Sequence, residues 1–309
     1  MSSVGGVPVA VALVVVVVTV VVAMLMSTGK PKKFLDKSRQ MLKVSEVEQL
    51  SHDTKRVRLA LPSSKMILGL PVGKHFKVFC PNVKGVKAGE WNGKPDPEAD
   101  STEIERKYTP TSSDDDFGFV DLVVKVYKGG IIDRFPDGGK MSQHIGKLEV
   151  GDELAISGPW GMIEYKGRGS WLYGKREIKA NKVGMMAGGT GITPMLQIIA
   201  AVLKDSSDAT QLSLIFANQT EDDILVRDHL ERLQNKYPTR FHLWYTLDRP
   251  SSNWKFSTGF IDADMIKAHL PGPASDSLIL MCGPPPMIQY ACKANLDKLG
   301  YTKAQQLAF

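Results

Sequence analysis

The spacing of apolar and polar residues changes twice along the chain. Val4 to Met26 is an unbroken apolar run, mostly valine, and 1–29 carries no charged side chain. As a helix, about 23 residues span roughly 34 Å, enough for a hydrocarbon core of about 30 Å. Hydrocarbon forces backbone hydrogen bonds to close internally, which overrides the modest helix propensity of valine. A cleaved leader would place its basic residues first, ahead of an apolar stretch of only about 7–15 residues. Here Lys30, Lys32, Lys33, Lys37 and Arg39 follow the run. That order predicts an uncleaved anchor, 4–26 crossing a bilayer and the rest facing the cytosol.

From 44 to 165 the pattern is strand-like. Val57, Leu59 and Leu61 alternate with Arg56, Arg58 and Ala60, and 75–80, 119–127 and 154–156 are further β-rich runs. Short strands between Gly, Pro and Asp clusters predict an antiparallel barrel or sandwich. Within it, 81–105 is polar and reads as a long surface loop. From 182 strands alternate with helices: strands at 182–187, 211–217, 240–247 and 277–282, helices at 194–204, 222–237, 262–270 and 285–299. Strict alternation predicts a Rossmann-like parallel sheet covered on both faces. The expected segments are therefore an anchor (1–29), a basic juxtamembrane linker (30–43), a β domain (44–165), a connector (166–181) and an α/β domain (182–309).

Charge sharpens this division. Of the net +6 on 309 residues, almost all comes from 30–43, which holds six basic groups and one acid. The body is nearly neutral, so nucleic-acid binding is not expected. The basic run could also meet anionic lipid head groups. Three cysteines exclude a disulfide-stapled scaffold. No H-x-x-x-H or C-x-x-C spacing occurs, so no metal site is expected. The absence of G-x-S-x-G argues against a hydrolase elbow.

Four segments carry candidate chemistry. The first is Gly188-Gly189-Thr190-Gly191-Ile192-Thr193-Pro194, directly after a strand. Its glycines allow a tight turn and close approach to a ligand, Thr193 can cap the following helix, and Pro194 suits that helix's first position. Phosphate is drawn to such a strand–loop–helix junction. The second is Arg106-Lys107-Tyr108-Thr109-Pro110-Thr111-Ser112-Ser113. On a strand Arg106 and Tyr108 share a face, one able to hold phosphate bidentately and the other to stack on a heterocycle. In the third, Gly138 to His144, two glycines precede a short helix whose N–H groups could meet a pyrophosphate. The fourth, Cys282-Gly283-Pro284-Pro285-Pro286-Met287, lies at the carboxyl end of a parallel strand, where ligands of open α/β sheets sit. Each segment alone is also compatible with an ordinary turn.

Taken together and in this order, the four resemble the NADH–cytochrome b5 reductases over roughly 44–309. The matching stretches are RKYTPTSSDDD, GFVDLVVKVY, GGKMSQHIG, GMMAGGTGITPML, LIFANQTEDDI, WYTLDR and LMCGPPPMIQYAC. The resemblance implies an antiparallel FAD-binding β-barrel followed by an NADH-binding α/β domain. It implies that Arg106 binds an FAD phosphate, that Tyr108 packs on the flavin with Lys107 beside it, and that Thr109 and Ser112 lie near the ring or ribityl chain. Val123 and Lys125 would meet the flavin edge, and Lys140, Met141 and Ser142 would hold the pyrophosphate. Thr193 would reach back toward the flavin, while Gly189 and Gly191 admit NADH. Cys282 and Gly283, with Pro284 and Met287 beyond, would position the nicotinamide. Asp248 would select NADH by repelling the 2′-phosphate of NADPH. Lys125, Thr193 and Cys282 are thus the residues expected closest to the hydride.

Two positions depart from the family: Lys107 stands where close relatives commonly have proline, and Lys128 where some carry an aromatic residue. The loop 81–105 is longer than in compact members. The expected partners are cytochrome b5, an acidic haem protein, and a bilayer of the endoplasmic reticulum or the mitochondrial outer membrane. Lys128, Arg134 and Lys140 are candidate docking charges, and a monomer is expected. A related flavoprotein feeding quinone or another haem protein is the near alternative. A redox-inactive nucleotide-binding scaffold is the distant one, and bound flavin bleached by NADH would exclude it.

Overall fold

The computed structural model describes residues 31–131, 133 and 135–309. The expected membrane segment 4–26 and Arg134 lie outside the described residues. Among the described residues no helix is long and apolar enough to cross a membrane.

The first half is a six-stranded antiparallel sheet. Its strands are β1 (Arg39–Gln49), β2 (Thr54–Ala60), β3 (His75–Pro81), β4 (Glu103–Tyr108), β5 (Phe119–Lys125) and β6 (Glu153–Trp160). Their order is β4-β3-β6-β1-β2-β5. Beyond β4 the Thr111 N–H donates to the Asp121 carbonyl of β5 at 2.9 Å, so the two edge strands meet and the sheet curls into a barrel. Alternation drives the curl. Val57 and Leu59 of β2 are fully buried, while Arg56 and Arg58 point outward to Glu46, Glu48 and Asp121. Helix α1 (Lys140–Gly146) adds Met141 and Ile145 to the same core.

The sheet begins earlier than the pattern predicted. β1 starts at Arg39, and Lys32–Lys33 pairs with Met66–Ile67, so much of 30–43 belongs to the β domain. The basic side chains masked this strand, because its buried positions are few: Leu42 and Val44 point inward between exposed neighbours. Residues 166–181 are likewise more than a connector. β7 (Ile163–Gly167), β8 (Ser170–Tyr173) and β9 (Arg176–Lys179) form an antiparallel meander, with Trp171 buried against the second core.

The second half is a parallel sheet of β10 (Lys182–Gly188), β11 (Gln211–Asn218), β12 (Phe241–Leu247), β13 (Ser257–Thr258), β14 (Ser277–Cys282) and β15 (Gln306–Ala308). The order is β13-β12-β11-β10-β14-β15. Central β10 is buried from Val183 to Gly188, as a strand covered on both faces must be. Helices α2 (Ile192–Lys204) and α3 (Arg227–Lys236) pack on one face, α4 (Ala263–His269) and α5 (Ala294–Lys298) on the other. The helix expected at 285–299 is helical from 285 to 298, with a π-helical stretch at Met287–Lys293.

Candidate functional site

β10 and β14 lie side by side in parallel register, with Ala187 opposite Cys282. The loops that follow them therefore leave one edge of the sheet together. β11 continues on one side of β10 and β14 on the other, which makes this the topological switch point where α/β sheets bind ligands. The two loops touch through backbone. A Cβ on Gly191 would lie 2.1 Å from the Cys282 carbonyl oxygen, and one on Gly188 would lie 2.5 Å from Met287 Sδ. Gly189 differs: its φ is +52° and a Cβ would meet nothing within 4 Å, so the residue supplies conformation and leaves that side of the loop bare. Gly283 also packs tightly, 3.2 Å from Gly188 Cα by the same measure, with Pro284 and Met287 beside it.

Thr193 does not cap α2. The cap position is Gly191, and the Thr193 hydroxyl donates to the Thr190 carbonyl at 3.2 Å. The helix starts at Ile192, so Pro194 falls two residues inside its first turn, where an N–H is not needed. Cys282 is half-buried. Burial pushes its thiol up to about 11, and the Lys107 charge opposes that shift. Asn218, at the carboxyl end of β11, is buried with neither of its side-chain amide atoms hydrogen-bonded. Asp248 is exposed just past β12, its N–H donating to the Asn218 carbonyl at 3.1 Å.

The facing wall is β4 and its surroundings. The Arg106 guanidinium grips both oxygens of Glu98 at 2.7 Å, showing a fork placed to take a bidentate anion. Tyr108 packs against the barrel core, and burial pushes its phenol up. Lys107 is exposed between them, and its charge acts on Cys282 of the other domain. It also acts on His75, whose imidazole is pushed down to about 4, chiefly by burial, with Lys107, Lys77 and Lys74 adding. Thr109 and Val123 are buried, and the Ser112 hydroxyl accepts from the Asp121 N–H at 2.9 Å, tying the segment to β5.

Two lysines stand elsewhere than expected. Lys125 does not present a free cation to a flavin edge. Its amine lies between Asp53, at 3.0 Å, and Asp223 of the α/β domain. Burial alone would lower its pKa, but the two carboxylates outweigh burial and raise it. Lys140 is not a surface charge. Its amine is buried, 2.7 Å from Asp96 and 2.9 Å from Asn82, and 4.9 Å from the Trp91 ring centre. Its buried amine therefore offers no docking charge. The backbone remains: the first N–H groups of α1, at Lys140, Met141 and Ser142, have no partner within the helix. The Ser142 hydroxyl donates to the Gly139 carbonyl and accepts from the Tyr127 N–H, each at 3.2 Å. Lys128 is exposed, as a docking charge requires.

Sequence reasoning missed the contacts that join the domains. Besides Lys125–Asp223, the Gly73 N–H donates to Gln197 Oε1 at 2.7 Å, and Lys204 pairs with Asp115. None has a local signal, since each pairs residues far apart in the chain. Their effect is to fasten the α/β domain to the barrel. The donor set suits two nucleotide cofactors. A guanidinium, the first backbone N–H groups of α1 and a large ring line one wall; a glycine loop and an orphaned amide line the other.

Comparison with known proteins agrees with this division. The Oxidoreductase FAD-binding domain model matches 41–88 and 96–165, and the Oxidoreductase NAD-binding domain model matches 185–293. The chain is a two-domain flavin- and nicotinamide-dependent oxidoreductase. It is 50% identical over 274 residues to NADH-cytochrome b5 reductase 2 of Xenopus laevis, covering 87% of each chain. It is 47% identical over 275 residues to human NADH-cytochrome b5 reductase 1, covering 87% of this chain and 85% of that one. The cytochrome b5 reductase domain of Ulva prolifera nitrate reductase has the same fold, with a TM-score of 0.80 and 38% identity over 90% of this chain and 100% of that one. The chain belongs to the NADH–cytochrome b5 reductase family.

Proposed function

We propose that the protein takes a hydride from NADH onto FAD and passes electrons singly to cytochrome b5. The observation that carries this is the meeting of two nucleotide walls on one chain, held together by Lys125–Asp223 and by the Gly73 N–H on Gln197. Bound FAD supplies the change from two-electron to one-electron transfer, and the protein supplies position and field. Arg106 would meet an FAD phosphate with the Nε edge of its guanidinium, since Glu98 takes the Nη1/Nη2 end, the N–H groups of Lys140, Met141 and Ser142 would receive the pyrophosphate, and Tyr108 would pack against the ring. Thr109, Ser112 and Val123 line the same side. Gly189 and Gly191 let NADH lie against the loop backbone, and Cys282, Gly283, Pro284 and Met287 shape the nicotinamide end. Lys107 brings positive charge to the cleft. Thr193 holds the loop turn through Thr190, and Lys125 acts by joining the domains.

Asp248 selects NADH, its carboxylate repelling a 2′-phosphate. The apolar run 4–26 anchors the chain, with the catalytic domains on the cytosolic side, and the exposed Lys128 meets the acidic acceptor. Such docking weakens with salt. Anchoring both partners in one bilayer raises their effective concentration.

The test is electron bookkeeping without oxygen. With the full-length chain and oxidised cytochrome b5, each NADH consumed should reduce two haems, read from their absorbance. Flavin that NADH bleaches while the haem stays oxidised would move the acceptor to quinone or another haem protein. Asp248→Ala should raise NADPH use by about tenfold relative to NADH, a gain of about 1.4 kcal/mol; an unchanged ratio removes Asp248 from selection.

A further inference from the structure

The long segment between β3 and β4 has a shape and a set of contacts that the function above does not use. The FAD-domain match stops at 88 and resumes at 96, so 89–95 is additional to the family pattern. These residues form a small hairpin, Glu90–Trp91 pairing with Lys94–Pro95, closed by the Asp96 N–H on the Gly89 carbonyl at 2.9 Å.

The hairpin is fastened to the segment in front of α1. The Trp91 indole N–H and the Asn92 amide both donate to the Gly138 carbonyl at 2.9 Å. Asn92 also bonds Asp137 twice: its N–H donates to Oδ2 at 2.6 Å, and its Oδ1 accepts from the Asp137 N–H at 2.8 Å. Just past the hairpin, Asp96 takes the buried Lys140 amine, and Glu98 takes the Arg106 fork. One short stretch thus ties together the strand bearing Arg106 and the backbone of 138–142. Those are the two elements to which the proposed function gives the FAD phosphates.

We infer that residues 89–98 are a strap that pre-organises the phosphate-binding walls of the flavin site and slows the release of FAD. The inference rests on the FAD reading of that site. Gly138 has a φ of +68°, a conformation glycine adopts with many competitors in a free loop. Two donors on its carbonyl fix that peptide, so the following N–H groups are held before FAD arrives. Ordering entropy is then spent in folding and not in binding. Glu98 keeps the Arg106 guanidinium facing the same place, and the Lys140 amine, 3.6 Å from Glu98, offsets part of its charge.

The test follows free-flavin fluorescence after the full-length, FAD-loaded chain is diluted. Wild type is compared with Trp91→Phe, Asn92→Ala and the double variant, which remove the donors to Gly138 and keep an aromatic ring beneath Lys140. Net losses of about 0.5–1.5 kcal/mol per hydrogen bond predict release about tenfold faster in the double variant. The KM for NADH, measured in excess FAD, should not move. A folded double variant that releases FAD within about twofold of wild type overturns the strap, because the three side-chain bonds it loses, two to Gly138 and one from the Asp137 N–H, predict more. If the double variant does not fold, Asn92→Ala alone decides: it loses two side-chain bonds, to Gly138 and from Asp137, and about fivefold faster release is expected. A wild-type chain that takes up no FAD overturns the FAD reading itself, and the inference with it.

Discussion

The two walls of the cleft are built from different materials. On the α/β side the fit is made by backbone: Gly188 and Gly191 lie against Met287 and the Cys282 carbonyl, with no ion pair among those contacts. On the barrel side it is made by charge: Arg106 on Glu98, Lys140 on Asp96, Lys125 on Asp53 and Asp223. A wall of close backbone contacts fails when volume is added and is indifferent to pH. A wall of paired charges tolerates some change of shape and fails when one partner is removed or titrated.

The sharpest way to break this contrast is Lys140→Met. It keeps most of the stem volume but strands the buried Asp96 carboxylate, and removing one partner of a buried pair costs more than most single changes. A fall in melting temperature of more than about 5 °C is expected. A smaller fall would mean that Asp96 finds water. Next comes Gly191→Ala, whose added methyl runs into backbone. Destabilisation of about 3 kcal/mol and loss of NADH reactivity are expected, read by denaturant melts and flavin bleaching. Gly189→Ala has open space and only the left-handed φ against it, so about 1 kcal/mol is expected there. Equal effects at the two glycines would show that contact with the Cys282 loop is not what Gly191 supplies.

Titration separates the walls more gently. The carboxyls of Asp96, Glu98 and Asp223 are all held below their ordinary values. For Asp96 the cause is the Lys140 hydrogen bond, and for Glu98 the Arg106 fork. At Asp223 burial works the other way, and Lys125 and Thr220 outweigh it. Depressed carboxylates contribute stability that is present above their ordinary values of 3.8 and 4.5 and is lost as pH falls through the lower folded values. His75 adds a slope of its own. Its folded pKa of about 4 lies below the ordinary 6.5, so the unfolded chain binds the proton first and stability declines as pH falls from 6.5 to 4. Urea midpoints measured across pH 3–7 should show both declines, and His75→Gln should shrink only the upper one, to which His144, His229 and His269, also pushed down by burial, contribute too. The smallest effect expected is on the surface. Lys128→Ala should slow cytochrome b5 reduction by less than about threefold, and only at low salt.

The same contrast explains what could be read from the sequence. The α/β wall was legible because its signals are local. A strand, a glycine loop and a helix follow one another within 182–204, and the second loop closes a strand of the same type. The barrel wall was legible only as a list of residue types. Arg106 and Tyr108 do share a strand, but Lys140 had to be seen beside Asp96, 44 residues away, before it ceased to look like a surface charge. Lys125 meets Asp223 across 98 residues, and nothing in GFVDLVVKVY announces that partner. Arg39 to Lys43 read as linker because a strand with one buried face and many charges resembles a basic tail. The meander at 163–179 was hidden by its short strands, which Ile163, Tyr165 and Trp171 fasten to the core.

The central claim is that the two walls face each other across one cleft, so that a hydride passes directly between the cofactors they hold. Anaerobic titration of the full-length, FAD-loaded chain with NADH tests it most directly. The account predicts a yellow protein whose visible absorbance bleaches fully with one equivalent of NADH, and far more slowly with NADPH. A folded chain that binds FAD and NADH together and keeps its full flavin absorbance would contradict it.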